Sequence, residues 1–177
     1  MKKTTYIFSF LALTMMLSSC FKDNKVTFQG ALVEFDETVI RAPIVGTLNY
    51  PAIPVARTAG TVTTRVNLVG AHRSTDQTVR VVFDAEATAQ AVTALRTLNP
   101  TANISAAVEG THFRLGNNGN VVIPANSSFG SASIEIINVA PATAPATSVV
   151  FVIRLEGNDV IKPSENYKRL GYRVTLN

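Results

Sequence analysis

His72 and His112 are the only histidines of the chain, and neither belongs to a His-Glu-x-x-His run or has a neighbouring cysteine. A zinc ion wants nitrogen, sulfur and carboxylate ligands converging on one point. These two imidazoles would have to recruit acids from elsewhere, so no metal site is expected. The densest acids, in Glu34-Phe35-Asp36-Glu37, supply three carboxylates. Calcium takes roughly six to eight oxygens, so a solvated strand end accounts for them better. Gly-x-Ser-x-Gly is absent, and nothing in the spacing singles out two of the twelve acids as a glycosidase pair. Gly116-Asn117-Asn118-Gly119-Asn120 is glycine-rich. It lacks the Lys-Ser/Thr and following helix of a phosphate cradle and is expected to form a hairpin turn. No catalytic residue and no cofactor is assigned.

Binding asks less of a sequence than catalysis does. Sugars lie against the faces of Trp or Tyr rings, and this chain has no Trp and four Tyr, of which Tyr6 opens the apolar stretch near the N-terminus. Tyr172 alternates with Val174 and Leu176 and is expected in the core. That leaves Tyr50 and Tyr167 as the candidate ligand-binding residues for a polysaccharide, with packing at a sheet edge as the competing reading for each. A protein-contact surface needs no diagnostic motif, because it can be built on loops or strand edges. Nucleic acid is not an expected partner: the net charge is +4, half of it from Lys2 and Lys3, and the rest is scattered.

The remaining reactive side chain is the only cysteine, Cys20. Lys2 and Lys3 precede an apolar stretch from Tyr6 to Leu17, and Ser18 and Ser19 follow it. That is the layout of a secretory signal, and it is too short for a membrane span. Leu17-Ser18-Ser19-Cys20 resembles a bacterial lipobox. The resemblance implies cleavage before Cys20 and acylation of its thiol, with an ordinary cleaved signal as the alternative. The membrane lipid is then a partner, held through the acylated (palmitate-type) N-terminus. The expected organisation is a lipoprotein signal peptide over 1–19, a lipidated tether over 20–25 and one folded domain over 26–177. At about 3.3 to 3.6 Å per residue, Phe21 to Lys25 reach less than about 20 Å. Phe21 follows the cysteine, whereas an Asp there would resemble the usual inner-membrane retention signal of Gram-negative bacteria, so its absence favours the outer membrane. Lys22-Asp23 is similar, in part, to the export signal of Bacteroidota surface lipoproteins, which implies a domain facing the cell exterior.

The elements that must carry these residues are mostly strands. With 46% hydrophobic and only 16% charged residues, the chain is suited to a packed core rather than disorder. Alternation bounded by Gly, Pro, Asn or Ser predicts strands at Val62 to Val69, Thr78 to Phe83, Ser131 to Val139, Val149 to Leu155 and Tyr172 to Leu176. Ala132, Ile134 and Ile136 should face inward, with Ser133 and Glu135 outward. Val121 to Ile123 is a short strand stopped by Pro124, and Val26 to Val33 supplies a further one. Pro51 and Pro54 confine the segment around Ile53 and Val55 to an edge. Ala85 to Leu98 is Ala-rich, spaces Val92, Leu95 and Leu98 by three, and stops at Asn99-Pro100. It is expected to be a short helix or an ordered connection between sheets. About seven strands over this length predict an all-β, antiparallel, immunoglobulin-like β-sandwich, with Ala85 to Leu98 as its one candidate for a short helix.

Three phrases share an order and spacing: Glu109-Gly110-Thr111-His112-Phe113, Val121-Val122-Ile123-Pro124-Ala125-Asn126 and Ser131-Ala132-Ser133-Ile134-Glu135-Ile136. They resemble the Gly-Thr-Asp-aromatic, Ile-Pro-Ala-Gly and alternating-strand series of Calx-beta and related immunoglobulin-like sandwiches. His112 replaces the usual Asp, and the acidic clusters that bind calcium in that family have no clear counterparts. With the lipobox and Tyr50-Pro51-Ala52-Ile53-Pro54-Val55, the chain is similar to uncharacterised Bacteroidota lipoproteins often encoded beside glycan-uptake systems. The resemblance implies an accessory binding or protein-interaction module, with an outer-membrane transporter or other surface lipoproteins as partners. A structural or adhesive role is the alternative, and a glycan-active enzyme is the more distant one.

Overall fold

The computed structural model describes residues 30–44, 48–137 and 148–176. The proposed signal, Cys20 and the tether lie outside them. Eleven strands are present among the described residues: β1 (Ala31–Phe35), β2 (Ala52–Ala56), β3 (Thr61–Gly70), β4 (Gln77–Phe83), β5 (Ile104–Ala106), β6 (Phe113–Leu115), β7 (Asn120–Ile123), β8 (Phe129–Ile136), β9 (Ser148–Glu156), β10 (Lys162–Pro163) and β11 (Arg169–Thr175). Two helices accompany them, α1 (Asp36–Ile40) and α2 (Ala85–Leu98). Five strands form one sheet in the order β10-β1-β3-β8-β6. The other sheet runs β2-β11-β9-β4-β7, with β5 also paired to β9. Pairing is antiparallel apart from three short parallel contacts, β1 with β10, β2 with β11 and β5 with β9. The strands not expected from the sequence, β5, β6 and β10, have two or three residues each, too short to show a period.

Alternation places the core. In β3, Thr64, Val66 and Leu68 point inward and Thr63, Arg65 and Val69 outward; β-branched residues suit such a pleated, half-buried surface. In β8, Ala132, Ile134 and Ile136 are buried while Glu135 is exposed, in the phase read from the sequence. Ile134→Ala is therefore expected to cost about 2 to 5 kcal/mol. Glu135 makes only an exposed 3.8 Å pair with Arg114, so Glu135→Ala should change stability by less than about 1 kcal/mol. Equal shifts of the two denaturation midpoints would overturn this placement.

β9 departs from alternation. Val149, Phe151, Ile153 and Leu155 enter the core between the sheets, while Val150 and Val152 belong to a second apolar cluster with Ala87, Ala91 and Val92 of α2. The strand is buried on both faces because α2 lies on the outside of the six-stranded sheet. The Ala-rich segment is thus a helix of 14 residues. Its small buried residues let the helix approach the sheet closely. Asp84 caps it, accepting a 3.0 Å hydrogen bond from the Ala87 amide. Thr88 Oγ1 donates to the Asp84 carbonyl and accepts from the Val152 amide, which stitches helix to strand.

The expected hairpin at Gly116 to Asn120 is corrected by the topology. β6 pairs with β8 in one sheet, whereas β7 pairs with β4 in the other. The turn therefore carries the chain from sheet to sheet. Asn117, Asn118 and Gly119 all have φ between 50° and 79°, left-handed values that Asn and Gly tolerate best. The edges of the sandwich are short or blocked. β2 carries Pro54, β10 has two residues, and β7 lies so close to β8 that a Cβ on Gly130 would sit 2.5 Å from the Val122 carbonyl.

Candidate functional site

The two candidate tyrosines part company in the structure. Tyr50 is only 3% exposed and packs in the cluster under α2. Its hydroxyl donates to the Ala87 carbonyl at 2.9 Å. Burial, with a smaller contribution from Asp84 and against the Arg169 charge, pushes its phenol up to about 12. This ring offers no face to a sugar, so Tyr50 is withdrawn as a ligand-binding residue. The helix it supports was visible in the sequence, but the side it packs against was not.

Tyr167 remains available, with 38% of its surface exposed. It stands in the turn between β10 and β11. The turn is held by the Tyr167 amide on the Ser164 carbonyl and by the Phe35 amide on the Tyr167 carbonyl, at 3.3 and 3.0 Å. Across from it, α1 is fixed by Thr38 Oγ1, which donates to the Arg169 carbonyl at 2.6 Å. Between them opens a cleft of about 440 Å3 lined by Thr38, Val39, Arg41, Pro43, Asn49, Asn166 and Tyr167. Arg41 is paired with Glu37 one helical turn away. The cleft joins one aromatic ring, two carboxamides and a guanidinium. Carboxamides both donate and accept, so the set suits a ligand with many hydroxyls.

Sequence reading did not find Arg41, Asn49 or Asn166. They lie on three separate segments and share no spacing; only the packing of α1 beside β11 gathers them.

The acids of Glu34-Phe35-Asp36-Glu37 disperse. Phe35 is fully buried, and Glu34 sits on the outer sheet face, where burial and then the Asp36 charge raise its carboxyl above the ordinary value. Asp36 accepts from Asn67 Nδ2 at 2.8 Å, and Glu37 takes Arg41. Among the described residues no three His, Cys, Asp or Glu side chains converge on a point that could hold a metal ion. His112 has a local duty: its Nδ1 accepts the Val108 amide at 2.9 Å and closes the Glu109–Phe113 turn. His72 Nε2 shares a 2.6 Å hydrogen bond with Ser128 Oγ.

The strongest charge constellation surrounds Asp84. Besides capping α2, its carboxylate meets Arg169 Nε at 2.9 Å and Arg154 Nε at 3.5 Å. Burial opposes ionisation, but the Ala87 amide and the two guanidinium groups outweigh it and hold the carboxyl below its ordinary value. Every oxygen is engaged in structure, which makes this a brace for the helix.

Comparison with solved structures follows the two-sheet topology. The apo form of the Calx CBD1 domain superposes with a TM-score of 0.53 at 16% identity, over 83% of this chain and 97% of that one. The fold is Calx-beta-like. The Calx CBD2 domain gives 0.50 at 10% identity, over 81% of this chain and 85% of that one. A candidate carbohydrate-binding protein of Bacteroides ovatus gives 0.51 at 9% identity. The match covers 81% of this chain and 36% of that protein, so it spans about a third of the larger chain. Likeness at these identities is a likeness of fold. No family model matches the chain, and no curated protein does. Among the described residues no helix is long and apolar enough to cross a membrane.

Proposed function

We propose that this protein is a lipid-anchored binding module of the outer-membrane surface, accessory to a glycan-uptake transporter, whose cleft at Tyr167 takes a hydroxyl-rich ligand of the polysaccharide class. The cleft carries the reading: a half-exposed aromatic ring stands beside Asn49, Asn166 and Arg41, with the Tyr167 turn and α1 tied to the sheets by hydrogen bonds. A pyranose needs an apolar face for its C–H groups and side-chain amides for its hydroxyls. The shared fold of the Bacteroides ovatus candidate carbohydrate-binding protein agrees with this direction. The anchor rests on Leu17-Ser18-Ser19-Cys20.

Two measurements test the two halves. A ligand that binds only the folded state stabilises it by about 2.7 kcal/mol at a hundredfold excess over Kd. A polysaccharide panel should therefore raise the melting temperature of the wild type and leave Tyr167→Ala unmoved. A panel that shifts both proteins equally, or neither, sinks the cleft. For the anchor, Cys20→Ala should move the protein from outer membranes to the soluble fraction and abolish incorporation of labelled lipid. Retention of the variant in the outer membrane with labelled lipid still incorporated would rule out Cys20 as the anchor.

A further inference from the structure

One end of the sandwich gathers the start of the described chain and three loops. Ala31 pairs with Gly70, so Gly30 lies beside the β3–β4 loop. That loop touches the β7–β8 loop through the Asn126 amide on the Arg73 carbonyl and through His72 on Ser128. The β9–β10 loop reaches the same end, where Asn158 Nδ2 donates to the Thr78 carbonyl. Four large apolar side chains are exposed around this end: Val69 at the close of β3, Phe129 at the start of β8, Val122 on β7 and Val160 at the tip of the β9–β10 loop. Val160 is 59% exposed, yet its loop is well held, with Asn158 Oδ1 accepting the amides of both Val160 and Ile161. The loop buries Ile161 and displays Val160. Arg65, on the outer face of β3, lies with its guanidinium 4.8 Å from the centre of the Phe129 ring and is paired with Asp36 at 3.8 Å, while Arg73, Lys162, Asp76 and Asp159 belong to the loops and strand starts of this end.

We infer that this end is a membrane-contact surface, seated on the headgroup layer of the bilayer that holds Cys20, with Val160 and Phe129 dipping into it. The inference rests on the proposed anchor and deepens it by naming the face that meets the lipid. Two observations carry it. Gly30, the first described residue, stands at this end, and the ten steps back to Cys20 span at most about 35 Å. A tether of that reach keeps the domain near the bilayer without choosing an orientation. Exposed Phe and Val side chains beside the exposed Lys162 do choose one, because the apolar groups enter the interface while a long cationic side chain reaches the phosphates. The opposite end, with Val108 and the Glu109–Phe113 turn, then faces the medium, and the Tyr167 cleft opens on the flank.

The test uses the full, acylated chain in vesicles of phosphatidylethanolamine and phosphatidylglycerol. Acylation blocks the native thiol, so Val160→Cys and Val108→Cys each offer one site for an environment-sensitive fluorophore. Lipid-borne quenchers should quench the probe at position 160 several-fold more than the probe at 108. Adding Phe129→Ser to Val160→Cys should reduce that difference. Equal quenching at both positions, or stronger quenching at 108, would overturn the membrane-contact surface while leaving the anchor intact. Label entering the wild-type chain at Cys20 would overturn the anchor and this orientation together.

Discussion

Phe151→Ala is expected to lower the free energy of unfolding by about 3 to 5 kcal/mol. Phe151 is fully buried at the middle of β9 and lies between two rings. Phe113, from the other sheet, stacks on it at 3.9 Å between centroids, and Tyr172 of β11 stacks at 5.2 Å. Phe83 meets Phe113 edge-on at 5.5 Å. The ladder crosses from β4 and β6 to β11, so removing its middle ring empties a space that three other aromatics cannot close without leaving their rotamers. Aromatic pairs add about 0.5 to 1.5 kcal/mol beyond their area, which places the cost above that of an aliphatic truncation. Chemical denaturation of the variant beside Val122→Ala, an exposed control, measures it. A Phe151→Ala midpoint no lower than that control would mean the ladder does not hold the sheets together.

Asp84→Ala is expected to cost about 2 to 4 kcal/mol, since it removes a helix cap and leaves two arginines without their shared carboxylate. The side chain is only 9% exposed, so solvent replaces little of what is lost. The pH dependence has a definite sign. The folded carboxyl is held below its ordinary value of 3.8. A lowered folded pKa stabilises the fold fully above the unfolded value, and the stabilisation disappears as pH falls through the folded one. The wild type should therefore lose stability below about pH 4, and Asp84→Ala should lose less over the same window. Parallel acid profiles for the two proteins would show that Asp84 is not the group responsible. Because Tyr50 bonds to the first turn of α2, a loosened helix should also expose that phenol to titration nearer its ordinary range.

How much of this was legible depends on the length of each periodic run. β3, β4, β8 and β9 each span seven or more residues, enough alternations for the phase of Ile134 and Ile136 to be read directly. β5, β6 and β10 have two or three residues, and no periodicity can be defined over so few. α2 announced itself by Ala content, the three-residue spacing of Val92, Leu95 and Leu98, and the Asn99-Pro100 stop. Its docking side was less plain, although the unbroken apolar run Val149-Val150-Phe151-Val152-Ile153 marks a strand covered on both faces.

Local chemistry, acting over a few residues, determined the longer strands, the edge position of β2 with its prolines and the helix, because propensity and proline geometry both read short stretches. Tertiary structure alone decided the rest. Asn117-Asn118-Gly119 specifies left-handed backbone, which fits a hairpin or a corner equally; which strand pairs with β7 chose the corner. Tyr50 and Tyr167 have the same side chain and the same amphipathic character. Only the helix laid over one and the open cleft beside the other separate a structural phenol from a candidate ligand platform, since burial belongs to what packs around a residue and not to the residue itself.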